Sequence, residues 1–186
     1  MLPTLPEILD IYTEKKLPST VVEHSIAVAY VAVSIAKCII SSQGLTLDIQ
    51  ALTAGGLLHD VEKFQPNHAA RAAELVTRLG YSSLAPMIAT HMDLVFHEYD
   101  PLNESAILYL ADKICKGSKF VTLEKRLEES IQTYGDLSRI RGRFSTAFAI
   151  REKVLELVDI EYVPLKELIM WKIIKKYTMR GRLYEL

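Results

Sequence analysis

Apolar positions recur at helical spacing along most of the chain, and Pro, Gly, Ser and Asn fall between the periodic segments. The pattern predicts a short first helix over about residues 5 to 16, ended by Leu17-Pro18. Ser19 or Thr20 can cap the second, with Thr20-x-x-Glu23 as a capping box. That helix runs to about Ser42 and stops at Gly44, a residue suited to a C-terminal cap. A third begins near Thr46 and ends around His59-Asp60. Asn67 can cap a fourth, "HAARAAELVTRL", closed by Gly80, and Pro86 fits the first turn of a fifth that ends around His91. After "FHEYDPLNES" a sixth, "AILYLADKICK", stops at Gly117. Residues 120 to 133 and roughly 136 to 159 make two more, and the basic tail from Val163 starts as helix. No period-two alternation marks a strand, and no segment repeats. The expectation is an all-α protein, a single helical bundle over residues 1–186.

Composition narrows this picture. The 186 residues suffice for one good core, and 49% hydrophobic with 24% charged residues is ordinary globular usage. The net charge of -1 argues against a protein built to coat nucleic acid or an anionic membrane. Cys38 and Cys115 stand outside any CxxC motif and read as core residues, so a reducing cytoplasm is the expected compartment. No basic start and apolar run mark a signal peptide in "MLPTLPEILDIYTEKK". The most apolar run, Ile26 to Ile40, is short for a membrane span and contains Lys37, so it reads as a buried helix.

The histidines change the picture most. Of five, His24 lies in the first turns of the second helix, His59 closes the third, His68 opens the fourth and His91 closes the fifth. His97, in a loop with Glu98 and Asp100, is the weakest ligand candidate. Asp112 interrupts an apolar helix face, "ILYLADKI", where a carboxylate is costly to bury unless paired or bound to a cation. Any one of these residues alone is more simply a satisfied core side chain. Together, imidazoles and carboxylates at helix ends are a donor set for a transition metal held across a bundle.

The order His24 … His59-Asp60 … Asp112 resembles the H…HD…D signature of the HD superfamily of metal-dependent phosphohydrolases. "VEHSIAVAYVA", "AGGLLHDVEK" and "LYLADKI" are similar to its motifs, and the resemblance covers about residues 18 to 120, with 120–186 as a C-terminal helical extension. "HAARAAELV" and "IATH" resemble the extra motifs of subgroups that hold two ions. The resemblance implies that His24, His59, Asp60 and Asp112 hold the first ion, that Asp60 bridges, and that His68 and His91 bind the second. His91-Met92 stands where the cyclic-dinucleotide enzymes of the superfamily carry two successive histidines, and their Gly-Tyr-Pro signature is absent, which argues against that substrate. "ATHMDL" and "YLADKICKGSKFVTLEKR" also look like HD modules found alone or joined to nucleotidyltransferases of the molybdenum-cofactor type.

What the resemblance implies is hydrolysis of a phosphate ester or anhydride, in a nucleotide or another small phosphorylated molecule, by metal-activated water. The ligand types admit Fe, Mn, Zn, Ni, Co or Mg, as one ion or two. Asp60 and Asp112 are the expected catalytic carboxylates. Lys63 is the expected phosphate-binding and catalytic cation, with a solvent-exposed helix-end lysine as the even alternative. Arg71 is a second substrate-binding candidate, against a surface reading. Lys113, Lys116, Lys119, Arg139, Arg141, Arg143 and the tail residues Lys172, Lys175, Lys176, Arg180 and Arg182 read chiefly as a solvated face. Trp171 and its apolar neighbours could pack on a second copy. Two other readings stay open: an HD-fold nucleotide-binding or regulatory module with little or no turnover, and a helical bundle whose histidines carry no metal.

Overall fold

The computed structural model describes residues 1–97 and 99–158. The tail expectations, including its basic residues and Trp171, lie outside the described residues. The order is α1 (Leu5–Glu14), α2 (Ser19–Gln43), α3 (Ile49–Leu58), α4 (His68–Arg78), a 3-10 turn (Ser82–Leu84), α5 (Ala85–Thr90), α6 (Glu104–Lys113), β1 (Cys115–Lys116), β2 (Lys119–Phe120), α7 (Leu123–Tyr134) and α8 (Ser138–Leu157). The architecture is all-α. The small antiparallel hairpin, pairing Cys115 with Phe120 and Lys116 with Lys119, departs from the expectation of no strands. Two-residue strands are too short to leave a period-two pattern.

The helices form near where the pattern placed them, but α6 ends at Lys113 rather than Gly117, α7 begins at Leu123 rather than 120, and several caps differ. The reciprocal cap sits on α1, where the Glu7 carboxylate accepts from Thr4 N (2.7 Å) and Thr4 Oγ1 (2.6 Å). Thr20 and Glu23 lie inside α2, whose N-cap is Pro18, so the expected capping box there does not form. Asn67 occupies the N-cap of α4 in the left-handed region (φ 53°) without a side-chain cap bond. Asp48 and Asn103 do cap α3 and α6, accepting from Ala51 N (2.8 Å) and Ala106 N (3.0 Å). Gly44, at φ 64°, closes α2 as expected.

Helix α2 is long and apolar enough to cross a membrane by length and composition, yet 56% of its most apolar window is buried inside the fold. It runs through the core and packs against α3, α6 and α8. Gly56 sets its separation from α3: a Cβ built there would lie 2.5 Å from Ala29 Cα, so only glycine permits this approach. The approach draws the end of α3 toward the start of α2. From outside, α1 braces the same point, with the buried Tyr12 hydroxyl donating to Leu57 O (2.5 Å). Helices α4 and α5 pack together, α5 lies on α6, and α8 packs on α6 and α7.

Candidate metal centre

Four helix ends and one helix interior converge on a single point. His24 comes from the second turn of α2, His59 from the C-cap of α3, His68 from the start of α4, His91 from the C-cap of α5, and Asp112 from α6. Asp60 follows His59 in the turn that leaves α3. His59, Asp60 and His91 are buried almost completely, at 0%, 1% and 0% exposure.

The histidine orientations are fixed by the backbone. Nδ1–H of His24 donates to Gly117 O (3.0 Å), that of His59 to Gly56 O (2.8 Å) and that of His91 to Ile88 O (2.7 Å). These bonds assign the proton to Nδ1 in each ring and turn Nε2 toward the centre, the arrangement that orients metal-binding imidazoles. The Ile88 and Gly56 carbonyls come from the last turn of each histidine's own helix, where carbonyls lack helical partners.

Asp60 divides its two oxygens between two groups of rings. Oδ2 lies 3.6 Å from His24 Nε2 and 3.5 Å from His59 Nε2. Oδ1 lies 3.3 Å from His68 Nε2 and 3.5 Å from His91 Nε2. Asp112 Oδ1 completes the first group, 3.2 Å from His24 Nε2 and 3.7 Å from His59 Nε2. The two clusters His24–His59–Asp60 and Asp60–His68–His91 each bring their ligand atoms within 4.8 Å of one another.

The donor atoms fit a cation. His59 Nε2 and both oxygens of Asp60 are buried without a hydrogen bond. Such groups are expensive in a protein interior unless an ion or other partner satisfies them. Lys63 Nζ lies 2.7 Å from Asp60 Oδ2, an ion pair that lacks hydrogen-bond geometry and supplies only part of that compensation.

The electrostatics agree with the geometry. Burial would raise the Asp60 carboxyl, but the surrounding His59, His68 and His91 rings and the Lys63 ammonium hold it below the usual carboxylate range. Burial likewise opposes ionisation of Asp112, and Lys113, His24 and His59 overcome it. Burial pushes the His91 imidazolium pKa down, so the ring stays neutral as a ligand must. His24 goes the other way: burial lowers it, but the bond to Asp112 and the charges of Asp112 and Asp60 raise it. The result is a pocket in which both carboxylates are held ionised and His91 is held neutral beside them.

A family model of the HD domain matches residues 21–117, just over half of the chain, and spans His24, His59, Asp60, His68, His91 and Asp112. The chain belongs to the HD domain family. No curated protein and no solved structure matches it. This HD domain therefore joins its His and Asp residues into groups consistent with divalent metal binding.

The remaining candidates fall in different places. Lys63, at the brim, lines a cleft of about 400 Å³ into which His24, Asp60 and Asp112 open. Arg71 is absent from that lining and donates through Nε to Pro66 O (3.0 Å). His97 is exposed, with its backbone N–H on Asp100 Oδ2 (2.7 Å), away from the cluster. Lys113 is not a solvated lysine: it is 5% exposed, 2.8 Å from Asp112 Oδ2, and donates to His91 O (3.0 Å). Arg143 clasps Asp93 through two bonds of 2.6 Å and lines the cleft. Sequence reasoning did not single out Arg126, which also lines the cleft. Its signal was there: Arg126, Ser130 and Tyr134 follow at i, i+4 and i+8, a polar stripe on one helix face.

Proposed function

We propose that this HD domain protein is a metal-dependent phosphohydrolase that cleaves a phosphate ester or anhydride of a nucleotide or another small phosphorylated molecule. One observation carries the reading. The Asp60 carboxylate, shared between two sets of Nε2 atoms, opens into a cleft whose rim carries Lys63, Lys116, Arg126 and Arg143. Ligands for a hard or borderline cation thus adjoin cations that suit an anionic substrate.

His24, His59, Asp60 and Asp112 would hold one divalent ion, and Asp60, His68 and His91 a second. When bound, such an ion lowers the pKa of water and polarises a phosphoryl oxygen. The chain's own residues do the rest. Lys63 Nζ, at the mouth of the pocket beside Asp60 Oδ2, is placed to bind a phosphoryl oxygen and to offset charge that builds there during cleavage. Lys113, buried on Asp112 Oδ2, keeps that carboxylate ionised and turns Oδ1 toward the histidines. The Nδ1 bonds to Gly56, Ile88 and Gly117 carbonyls hold the rings in one tautomer. A small molecule, rather than nucleic acid or a membrane, is the expected partner of a cleft this size in a chain of net charge -1. The reading places the protein in the cytoplasm.

The test is phosphate release from a panel of nucleotides and simple phosphate esters, with Mn, Fe, Zn, Ni, Co or Mg restored in turn. Turnover by the wild type and its loss in Asp60→Asn is the expected result. Metal-loaded protein that binds a nucleotide tightly but releases no phosphate would replace this reading with the binding or regulatory module.

A further inference from the structure

The cleft beside the metal centre has two walls. One carries His24, Asp60 and Asp112; the other is the face of α7 that presents Arg126, Ser130 and Tyr134. Helix α7 lies beyond the residues that match the family, so this wall belongs to the chain's own extension.

Five cations line the cleft, and among the described residues four have a carboxylate partner. Lys63 is on Asp60, Lys113 on Asp112, Lys116 on Glu129 (2.8 Å) and Arg143 on Asp93. Arg126 has none, and its Nε is buried without a hydrogen-bond acceptor. The acidic residues of its own helix are engaged elsewhere: Glu124 with Arg151 (2.5 Å), Glu128 with Gln132 (3.3 Å) and Glu129 with Lys116. A guanidinium donates in a planar fork suited to phosphate, and burying one of its N–H groups unpaired costs stability. A side chain kept in that state beside a candidate active site is a binding group whose partner arrives with the ligand.

We propose that Arg126 is a specificity residue that binds a second phosphate of the substrate, so that the cleft takes nucleoside diphosphates in preference to simple monoesters. The inference rests on the phosphohydrolase reading and names its substrate class. One phosphoryl group would sit by Lys63 and the histidines and the other at Arg126. Tyr134, two turns along the same face and 68% exposed, offers its ring to a base. Phe144 and Ile140 supply an apolar floor.

The experiment has two arms. In the first, calorimetry follows inorganic pyrophosphate and inorganic phosphate binding to metal-free wild type, Arg126→Gln and Arg126→Lys. The expected result is a preference for pyrophosphate in the wild type, weakened about 10- to 100-fold in Arg126→Gln and partly restored in Arg126→Lys. In the second, the metal-loaded proteins hydrolyse adenosine 5′-diphosphate, adenosine 5′-monophosphate and p-nitrophenyl phosphate. Arg126→Gln should raise KM for the diphosphate by a similar factor and affect p-nitrophenyl phosphate far less, because only the diphosphate carries the second phosphate. Melting temperature controls for folding: a ligand-binding guanidinium predicts an unchanged or higher midpoint in Arg126→Gln, and a large drop would mark a structural arginine and overturn the proposal. Equal loss on all three substrates, or no pyrophosphate preference in the wild type, would also overturn it. Pyrophosphate binding that depends on Arg126, with no hydrolysis by the wild type, would support the anion site while removing the phosphohydrolase reading. Hydrolysis indifferent to Arg126 would do the reverse.

Discussion

Asp112 and Lys113 are neighbours in sequence, and both turn inward: Lys113 Nζ lies 2.8 Å from Asp112 Oδ2, with both side chains no more than 10% exposed. The lysine also donates to His91 O, so one buried ammonium ties α6 to the end of α5. Removing one partner of a buried pair leaves the other charge uncompensated, a loss of about 3–5 kcal/mol. Lys113→Met is therefore expected to lower the melting midpoint of metal-free protein sharply. Added divalent cation should recover more stability in the variant than in the wild type, because the ion compensates the same carboxylate. Differential scanning calorimetry with and without metal measures both effects; an unchanged midpoint would mean that the pair is dispensable.

Metal stoichiometry separates the two halves of the centre. Among the described residues Asp60 alone has an oxygen toward each group of rings. Asp60→Ala should abolish metal retention. His68→Ala and His91→Ala should leave the His24–His59–Asp112 side able to hold an ion. Elemental analysis of gently purified proteins reads this directly. A ratio near two in the wild type, falling to one in either histidine variant, is expected; equal loss in all three would merge the two sites into one.

Glycine 56 and glycine 55 make a paired test of helix approach. A Cβ at Gly56 meets the Ala29 backbone, which cannot yield without moving α2 or α3. A Cβ at Gly55 meets the Met87 sulfur, the far end of a flexible side chain. Gly56→Ala is expected to cost about 1–3 kcal/mol by overpacking, and to weaken metal binding because His59 and Asp60 follow directly. Gly55→Ala should cost less and leave metal affinity near wild type. Urea titration of both variants would show the order, and a reversed order would refute the account of α3.

The pH dependence of metal-free stability follows from the shifted groups. Asp60 and Asp112 are held below the ordinary carboxyl value of 3.8, so their contribution is full above that pH. As pH falls below about 3.8 the unfolded chain takes up protons that the folded carboxylates refuse, and stability declines. Near neutral pH, His91 and His24 oppose each other. His91, lowered from 6.5, favours folding at higher pH, whereas His24, raised from 6.5, favours it at lower pH. Melting curves in chelator should fall on the acid side as pH drops below about 3.8. Stability that is unchanged through that range would contradict the assignment of the two carboxylates.

Much of the site was legible because its residues sit where sequence punctuation is strongest. His59, His68 and His91 mark helix ends, which Gly80, Pro86 and the polar loops already delimit. Asp112 was legible as a carboxylate on an apolar face. Lys113 was not, since a lysine beside an aspartate reads the same whether solvated or buried, and only the packing of α5 on α6 encloses it. Arg71 looked equivalent to the other basic residues until its bond to Pro66 O placed it away from the cleft. The hairpin of residues 115–120 escaped because two-residue strands have no period, yet its turn supplies Gly117 O, the acceptor that orients His24.

The sequence by itself determined the helices, their order and the inventory of candidate ligands, because hydrophobic period and helix-ending residues act locally. Tertiary structure decided which atoms meet. Asp60 serves both ring groups only because Gly56 lets α3 settle against α2 while α4 and α5 close from the other side. Among the described residues Arg126 is left without a carboxylate partner because its acidic neighbours find theirs on the hairpin, on α8 and within α7 itself. Those are distances between segments far apart in the chain, set by close packing of the core, and no local pattern encodes them.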